Sequence, residues 1–269
     1  MGASAADIAD IAVIGGTGFY SFLSPESTAH EVATPYGDPS APISVGEIAG
    51  RRVAFLPRHG PGHRFPPHAI NYRANIWALR SLGVRQIIAP CAVGGLSTDL
   101  EPGDVVVPDQ LVDRTQGRGQ TYVETGAVHA PFADPYCPEV RRALGAADPG
   151  LVDGGTMVVI DGPRFSTRAE SRQHAAAGGT LINMTGHPEA VLAREMRTCY
   201  GALALVTDMD AGVQAGAGVG QAEVFARFEA NLARLGSILT AAIGDLGDPT
   251  GCGCSAWADD IALTYDVPG

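Results

Sequence analysis

Short apolar runs alternate with helix-periodic segments along most of the chain, separated by glycine- and proline-rich turns. IAVI at 11–14 reads as a buried strand entering a glycine turn, GGTGFY at 15–20. Two further strands are predicted near 42–48 and 52–57, the second leading into the loop RHGPGHRFPPH at 58–68. In NYRANIWALRSLG, 71–83, Ile76, Leu79 and Leu82 fall on one face, which predicts a helix stopped by Gly83. RQIIAPCA reads as a strand running into Gly94 and Gly95, and VVVP at 105–108 as another. In the second half, TMVVID (156–161) and TLINMT (180–185) are predicted strands, and GPRFSTRAES starts a helix between them. Pro188 suits the first position of a helix reaching about Cys199. GALALVTDMD (201–210) is a strand ending in two carboxylates. A last long helix, about 221–243, carries Val224, Phe225, Phe228, Leu232, Leu235, Ile238 and Leu239 at helical spacing. Strands alternating with helices predict an α/β fold with a parallel or mixed sheet. No repeat or linker divides the chain. Only the segment from about Gly247, GDPTGCGCSAWADD, reads as loosely ordered, which gives a domain over 1–246 and a tail over 247–269.

Composition narrows the chemistry. At 269 residues with 45% apolar and 17% charged positions, the chain is no disordered polymer and needs no disulfide or metal to hold a core. Its net charge of −11 argues against nucleic acid and anionic membranes as partners. All 18 basic residues are Arg. Without Lys there is no Schiff-base, P-loop or kinase lysine. Any bound anion must be held by Arg, His, hydroxyls, backbone N–H groups or a metal. The five cysteines, Cys91, Cys137, Cys199, Cys252 and Cys254, do not read as a secreted disulfide framework. No basic leader and no apolar run near the ~20 residues of a membrane span is visible, so a cytoplasmic protein is expected.

Six features could carry function. GGTGFY lacks the third glycine of a dinucleotide fingerprint; it is either a structural turn or a small phosphate site built on Thr17 and backbone N–H groups. RHGPGH offers Arg58, His59 and His63 as an oxyanion holder, or is a surface loop with incidental charge. His59, His63 and His68 have no Cys or carboxylate at zinc-like spacing nearby, which argues against a metal there. Phe165, between Arg164 and Arg168 at a strand-to-helix junction, is either core or a stacking surface for a planar ligand. Asp208 and Asp210 form either a turn or a pair of same-side carboxylates beyond a strand's carboxyl end, where open α/β sheets bind ligands. Cys252 and Cys254 could bind metal or close a disulfide, but two ligands without a nearby His favour an inert reduced pair.

Taken in order, GGTGFY (15–20), RHG (58–60), NYRANIWAL (71–79), EPGDVVVPDQLVDRT (101–115), ADPYCP (133–138), GTMVVIDGPRFSTRAES (155–171), NMTGHPEAVLARE (183–195) and TDMDAG (207–212) resemble the trimeric purine nucleoside phosphorylase family, most closely its methylthioadenosine phosphorylase branch. The resemblance covers roughly 10–245. It implies one α/β domain with a central mixed, partly barrel-like sheet flanked by helices, assembled as a homotrimer or a dimer of trimers. It also implies a pentosyltransferase of purine and methionine salvage. Inorganic phosphate attacks C1′ as the N-glycosidic bond breaks, with no metal or organic cofactor. Carried over by position, Thr17, Arg58, His59, Cys91, Ala92 and Thr185 form the phosphate site. Met184 packs under the ribose. Phe165 and Ser166 meet the purine. Asp208, Met209 and Asp210 read the base, with Asp208 facing N7 as a protonated acid and Asp210 the 6-amino group. His63, Gln221, Val224 and Phe225, with His129 from a neighbouring subunit, line the 5′-substituent pocket. A positioned acid contributes roughly 10²–10⁴-fold.

Three positions depart from that family. Cys91 stands where Thr is usual, His187 where one branch is apolar, and Gln221 where an apolar residue meets the methylthio group. 5′-Deoxy- or 5′-haloadenosine, or a broader purine nucleoside range, therefore remains an alternative to methylthioadenosine. Branches that favour 6-oxopurines tend to carry Asn at Asp208 and Glu at Ser166, so a 6-aminopurine is expected here. Rival readings are a water-using nucleosidase, which needs no anion site, and a purine-binding module without turnover. A dinucleotide-binding protein is the weakest.

Overall fold

The computed structural model describes residues 8–16, 19, 23, 26–213 and 218–269. Strand β1 (Ile11–Gly15) is buried at every position and lies between two parallel neighbours, which is why its sequence is an unbroken apolar run. β2 (Thr28–His30), β3 (Ile43–Ile48) and β4 (Arg51–Pro57) extend one side of the sheet. α1 (Tyr72–Ser81) follows, its first turn capped by Asn71, whose side chain accepts from the Ala74 N–H. β5 (Gln86–Gly95) is the strand the rest is arranged around. Residues Gln86–Ile88 pair with β1, Gly94 and Gly95 pair with β10 (Leu181–Asn183), and its other edge carries β11 (Cys199–Met209) along its whole length. Residues 89–93 therefore sit between two successive partners, and the sheet parts there.

The sheet also curls. β6 (Val105–Val107) pairs with β11 and with β8 (Val152–Asp153), while β7 (Gln110–Asp113) pairs with β9 (Thr156–Val159), which pairs with β10. Only Pro108 and Asp109 separate β6 from β7, and only Gly154 and Gly155 separate β8 from β9. Both glycines have positive φ, 91° and 118°, a bend that other residues adopt at a cost. Through these paired bends the path from β5 through β11 returns by β10 to β5, the partly barrel-like sheet expected.

α1 and α4 (Gly186–Glu195) cover one face over Ile14, Leu79, Leu192 and Val206. α2 (Pro138–Ala147) and α5 (Gln221–Asp245) cover the other over Val13, Leu144, Leu203 and Leu239. Alternate residues of β11 feed the two faces. In α4 the φ/ψ of His187 are non-helical, −115° and 132°, so regular helix starts at Pro188 as the sequence predicts. β2, β7, β8 and α2 carry too few apolar positions to announce themselves; in α2 only Val140, Ala143 and Leu144 are buried. α3 (Arg168–Ala176) starts on a capping box between Thr167 and Glu170. No helix among the described residues is long and apolar enough to cross a membrane.

Residues 247–269 were expected to be loosely ordered; they are instead tied to the domain. Carbonyls at the end of α4 take donors from this segment as well as from the backbone turn that follows the helix. The Trp257 indole donates to the Arg194 carbonyl at 3.1 Å and the Tyr265 hydroxyl to the Glu195 carbonyl at 2.8 Å. A short helix, α6 (Gly253–Ala256), buries Cys254. The segment's glycine-rich composition hides these contacts, which depend on groups far away in the chain.

One buried ion pair links both halves. Arg58 directly follows β4, and Glu189 lies in the first turn of α4, 131 positions later; their side chains are 2% and 1% exposed. The guanidinium donates to Glu189 Oε1 at 2.5 Å and Oε2 at 3.0 Å, to the Ile14 carbonyl at 2.9 Å and to the Pro90 carbonyl at 3.3 Å. The Tyr200 hydroxyl donates to Glu189 Oε2 at 2.8 Å. Burial opposes the guanidinium charge, but the charge and hydrogen bonds of Glu189 more than reverse it and keep the arginine firmly protonated. Glu189→Ala should therefore destabilise the fold by about 3–5 kcal/mol in urea unfolding at fixed protein concentration, because a buried charge loses its partner. Arg58→Met/Glu189→Leu should recover most of that loss. A loss under about 1 kcal/mol for the single variant would show that the pair is not holding these elements together.

Candidate active site

Where β5 changes partners, a cavity of about 840 Å³ opens between the carboxyl ends of β1, β4, β5 and β11 and the first turns of α5. This is the position at which α/β sheets bind ligands, because diverging strands leave a crevice lined by loop backbone.

At one end the wall brings together Gly16, Arg58, His59, Cys91, Ala92 and Thr185. Thr17 lies outside the described residues. Among the described residues, four of the five N–H groups of Arg58 are committed to Glu189 and to carbonyls. Its Nη1 sits 4.0 Å from the point a Cβ on Gly16 would occupy, so a side chain there would rest against the one N–H left uncommitted. His59 Nδ1 lies 2.9 Å from the Phe65 carbonyl, which can only accept, so Nδ1 carries the hydrogen and Nε2 is left as acceptor. Burial, then the charge of Arg58, depresses the His59 pKa to about 3, and the ring is neutral. It stacks on His63, centroids 4.0 Å apart. The Cys91 thiol, pushed up to about 12 by burial, is likewise uncharged. Asn183, which sequence reasoning passed over, organises this end. Its side-chain oxygen accepts from the Thr185 and Gly186 N–H groups, both at 2.7 Å, and its amide donates to the Ala92 carbonyl at 3.2 Å.

The other end is acidic. A bulge in β11 between Val206 and Asp208 re-aims the strand's last residues. A Cβ on Gly94 would lie 3.2 Å from both Asp208 Oδ1 and Asp210 Cβ, so the two residues gather on one side, over a position kept bare. Asp208 accepts from Thr207 Oγ1 at 2.8 Å. Burial, helped by the nearby Asp210 charge and opposed by that hydrogen bond, raises its pKa to about 6. Asp210 is 3% exposed and accepts from the Ser171 hydroxyl at 2.5 Å. Phe165 and Ser166 face the same space, and the buried Ser166 Oγ has no partner among the described residues. The Met184 sulfur packs over Gly162, where a Cβ would approach it to 2.5 Å.

His63, Gln221, Val224 and Phe225 complete the wall, joined by Phe228 and Leu232, which the sequence reading placed in the helix core. One expected residue of this chain is elsewhere. Met209 is absent from the wall: strand alternation turns it away, to where a Cβ on Gly95 would meet its sulfur at 2.8 Å. His129 is exposed on a loop and off this chain's own pocket. Glu189 and Thr207 were missed because each acts on a functional side chain rather than presenting itself. The cavity thus offers N–H and hydroxyl donors beside one uncommitted guanidinium N–H, a carboxyl poised to carry a proton, and an apolar wall between.

Residues 10–244 match the family described as Phosphorylase superfamily. The chain is 56% identical over 258 residues to the S-methyl-5′-thioadenosine phosphorylase of Mycolicibacterium smegmatis, covering 96% of this chain and 99% of that one. It is 54% identical to the purine nucleoside phosphorylase of Streptomyces coelicolor, over 92% of this chain and 94% of that one. The methylthioadenosine phosphorylase of Schistosoma mansoni, solved with adenine, superposes with a TM-score of 0.85 at 36% identity, covering 90% and 94% of the two chains. The family match spans most of the chain and includes every strand and the first six turns of α5, so the chain belongs to the phosphorylase superfamily.

Proposed function

We propose that this chain is an S-methyl-5′-thioadenosine phosphorylase, releasing adenine and 5-methylthioribose 1-phosphate. The observation that carries the reading is one cavity with anion-holding donors at one end and an acid of raised pKa at the other. In this reading phosphate lies against Nη1 of Arg58 and the Thr185 hydroxyl, its own P–OH donating to His59 Nε2, with Thr17 completing the contacts. It attacks C1′ from below a ribose resting on Met184. Negative charge then flows into the purine, and Asp208 supplies a proton to N7. Ser166 Oγ gains a partner at the purine edge, and Phe165 packs on its face. An ionised Asp210 accepts from a 6-amino group and repels a 6-carbonyl. The M. smegmatis relative and the adenine in the S. mansoni structure support adenine as the base.

The reading includes a homotrimer with His129 reaching a neighbour's pocket. Phe225, 41% exposed at the cavity wall, supports a covering subunit there. Gln221 and the S. coelicolor relative's name favour a second reading, a broader purine nucleoside phosphorylase.

A substrate panel separates the readings. Adenine should form from 5′-methylthioadenosine only when phosphate is present, faster than from adenosine or 5′-deoxyadenosine and far faster than hypoxanthine from 5′-methylthioinosine. Product formed without phosphate would sink the phosphorylase reading. Asp210→Asn should narrow the amino-over-oxo preference about tenfold or more, since an amide can donate to O6.

Asp208 sets a pH signature. Its raised pKa keeps the carboxyl neutral up to about pH 6, and above that it ionises and loses the transferable proton. The ratio of kcat/KM for wild type to that for Asp208→Asn, which divides out phosphate ionisation, should fall about tenfold per unit above that point. A flat ratio between about pH 6 and 8 would remove Asp208 from the acid role.

A further inference from the structure

Four of the five cysteines meet in space. Cys137 ends the loop before α2, Cys199 opens β11, and Cys252 and Cys254 flank the start of α6. Their four sulfurs all lie within 4.8 Å of one another. Cys252 Sγ is 3.2 Å from Cys199 Sγ and 3.6 Å from Cys137 Sγ. One sulfur that is close to two others does not describe two separate pairs, and every separation exceeds the ~2.05 Å of a disulfide. Four thiolates bound tetrahedrally at about 2.3 Å from a zinc ion would stand about 3.8 Å apart. The observed spread surrounds that value, and small side-chain adjustments suffice. Cys137, Cys199 and Cys254 are 0%, 1% and 4% exposed, so the cluster is closed to solvent on most sides.

We propose that Cys137, Cys199, Cys252 and Cys254 bind one Zn²⁺ ion in a closed tetrahedral site. Four protein ligands leave no position for water or substrate, so the ion is structural. Binding converts Zn²⁺ and four thiols into a tetrathiolate complex of net charge −2 with release of four protons. The Arg194 guanidinium, 4.0 Å from Cys254 Sγ, partly offsets that charge. Cys199 and Asp208 lie nine residues apart towards opposite ends of β11, which separates zinc from the purine end by roughly 30 Å at about 3.3 Å per residue. The ion's task is to clamp residues 247–269 onto α2 and β11. The sequence alone showed Cys252 and Cys254 as two ligands without company; the fold supplies the other two from positions 115 and 53 residues away from Cys252.

The test begins with untagged wild-type protein. Elemental analysis should find about one zinc per chain, released by a mercurial thiol reagent. After denaturation with a chelator and without reductant, alkylation should modify all five cysteines. Cobalt substitution should give the thiolate charge-transfer and d–d bands of a tetrahedral sulfur site. Cys252→Ser/Cys254→Ser should hold under a tenth of the wild-type zinc, expose its C-terminal segment to proteolysis and keep turnover at low temperature within about twofold. Wild-type protein that stays zinc-free even after incubation with Zn²⁺, alkylation of only one cysteine because the others are in disulfides, or undiminished zinc in the double variant would each overturn the proposal. The first two readings need no variant, so they stand even if the substituted chain does not fold.

Discussion

The Arg58–Glu189 pair is the constraint on which the catalytic end of this molecule rests. Its guanidinium joins β4 to the end of β1 and the middle of β5 through the Ile14 and Pro90 carbonyls, and its carboxylate partner carries α4 and, through Tyr200, β11. Five elements from distant parts of the chain are thus fixed relative to one cation. The pair also changes what that cation offers. Its charge is already matched inside the protein, so an incoming anion meets a directed N–H and fixed neutral donors rather than a bare positive charge. Preorganised dipoles of this kind need no rearrangement when charge develops on the ligand.

The acidic end relies on the opposite device. Burial raises the Asp208 pKa, and the charge of Arg227 lowers it only in small part. The same desolvation that makes a paired charge strong makes an unpaired carboxyl reluctant to ionise. Two ends of one cavity are therefore held in different protonation regimes, one by pairing and one by isolation. Gly94, at the junction of β5 with β10 and β11, lets the carboxylates approach the strand closely enough for this to work.

Much of this was legible in the residues. Apolar runs located β1, β5 and β11, and the placement of Arg58, His59, Asp208 and Asp210 just past strand ends marked them for chemistry. What stayed hidden was relational. Glu189 reads as an ordinary helix-start carboxylate until Arg58 is brought to it. Asn183 sits within a recognisable motif, but its work is to hold two N–H groups of the next turn. Met209 lies between two site residues and faces the other way because a strand alternates. The C-terminal segment reads as unstructured because its stabilising partners are the last carbonyls of α4, far away in the chain.

The parting of the sheet at β5 has a consequence for synthesis. The cavity is assembled from Gly16 near the start of the chain through Leu232 in α5, with short segments near 58–67, 91–94, 160–166, 182–185 and 207–210 supplying the walls between. No piece of the chain that stops before Asp208 contains both the donors and the acid. On a ribosome adding roughly 5–20 residues per second, the nascent chain must carry an open seam through nearly the whole of translation. Catalytic competence is then acquired at one late moment, when α5 emerges and closes over residues that have been waiting in the half-built sheet.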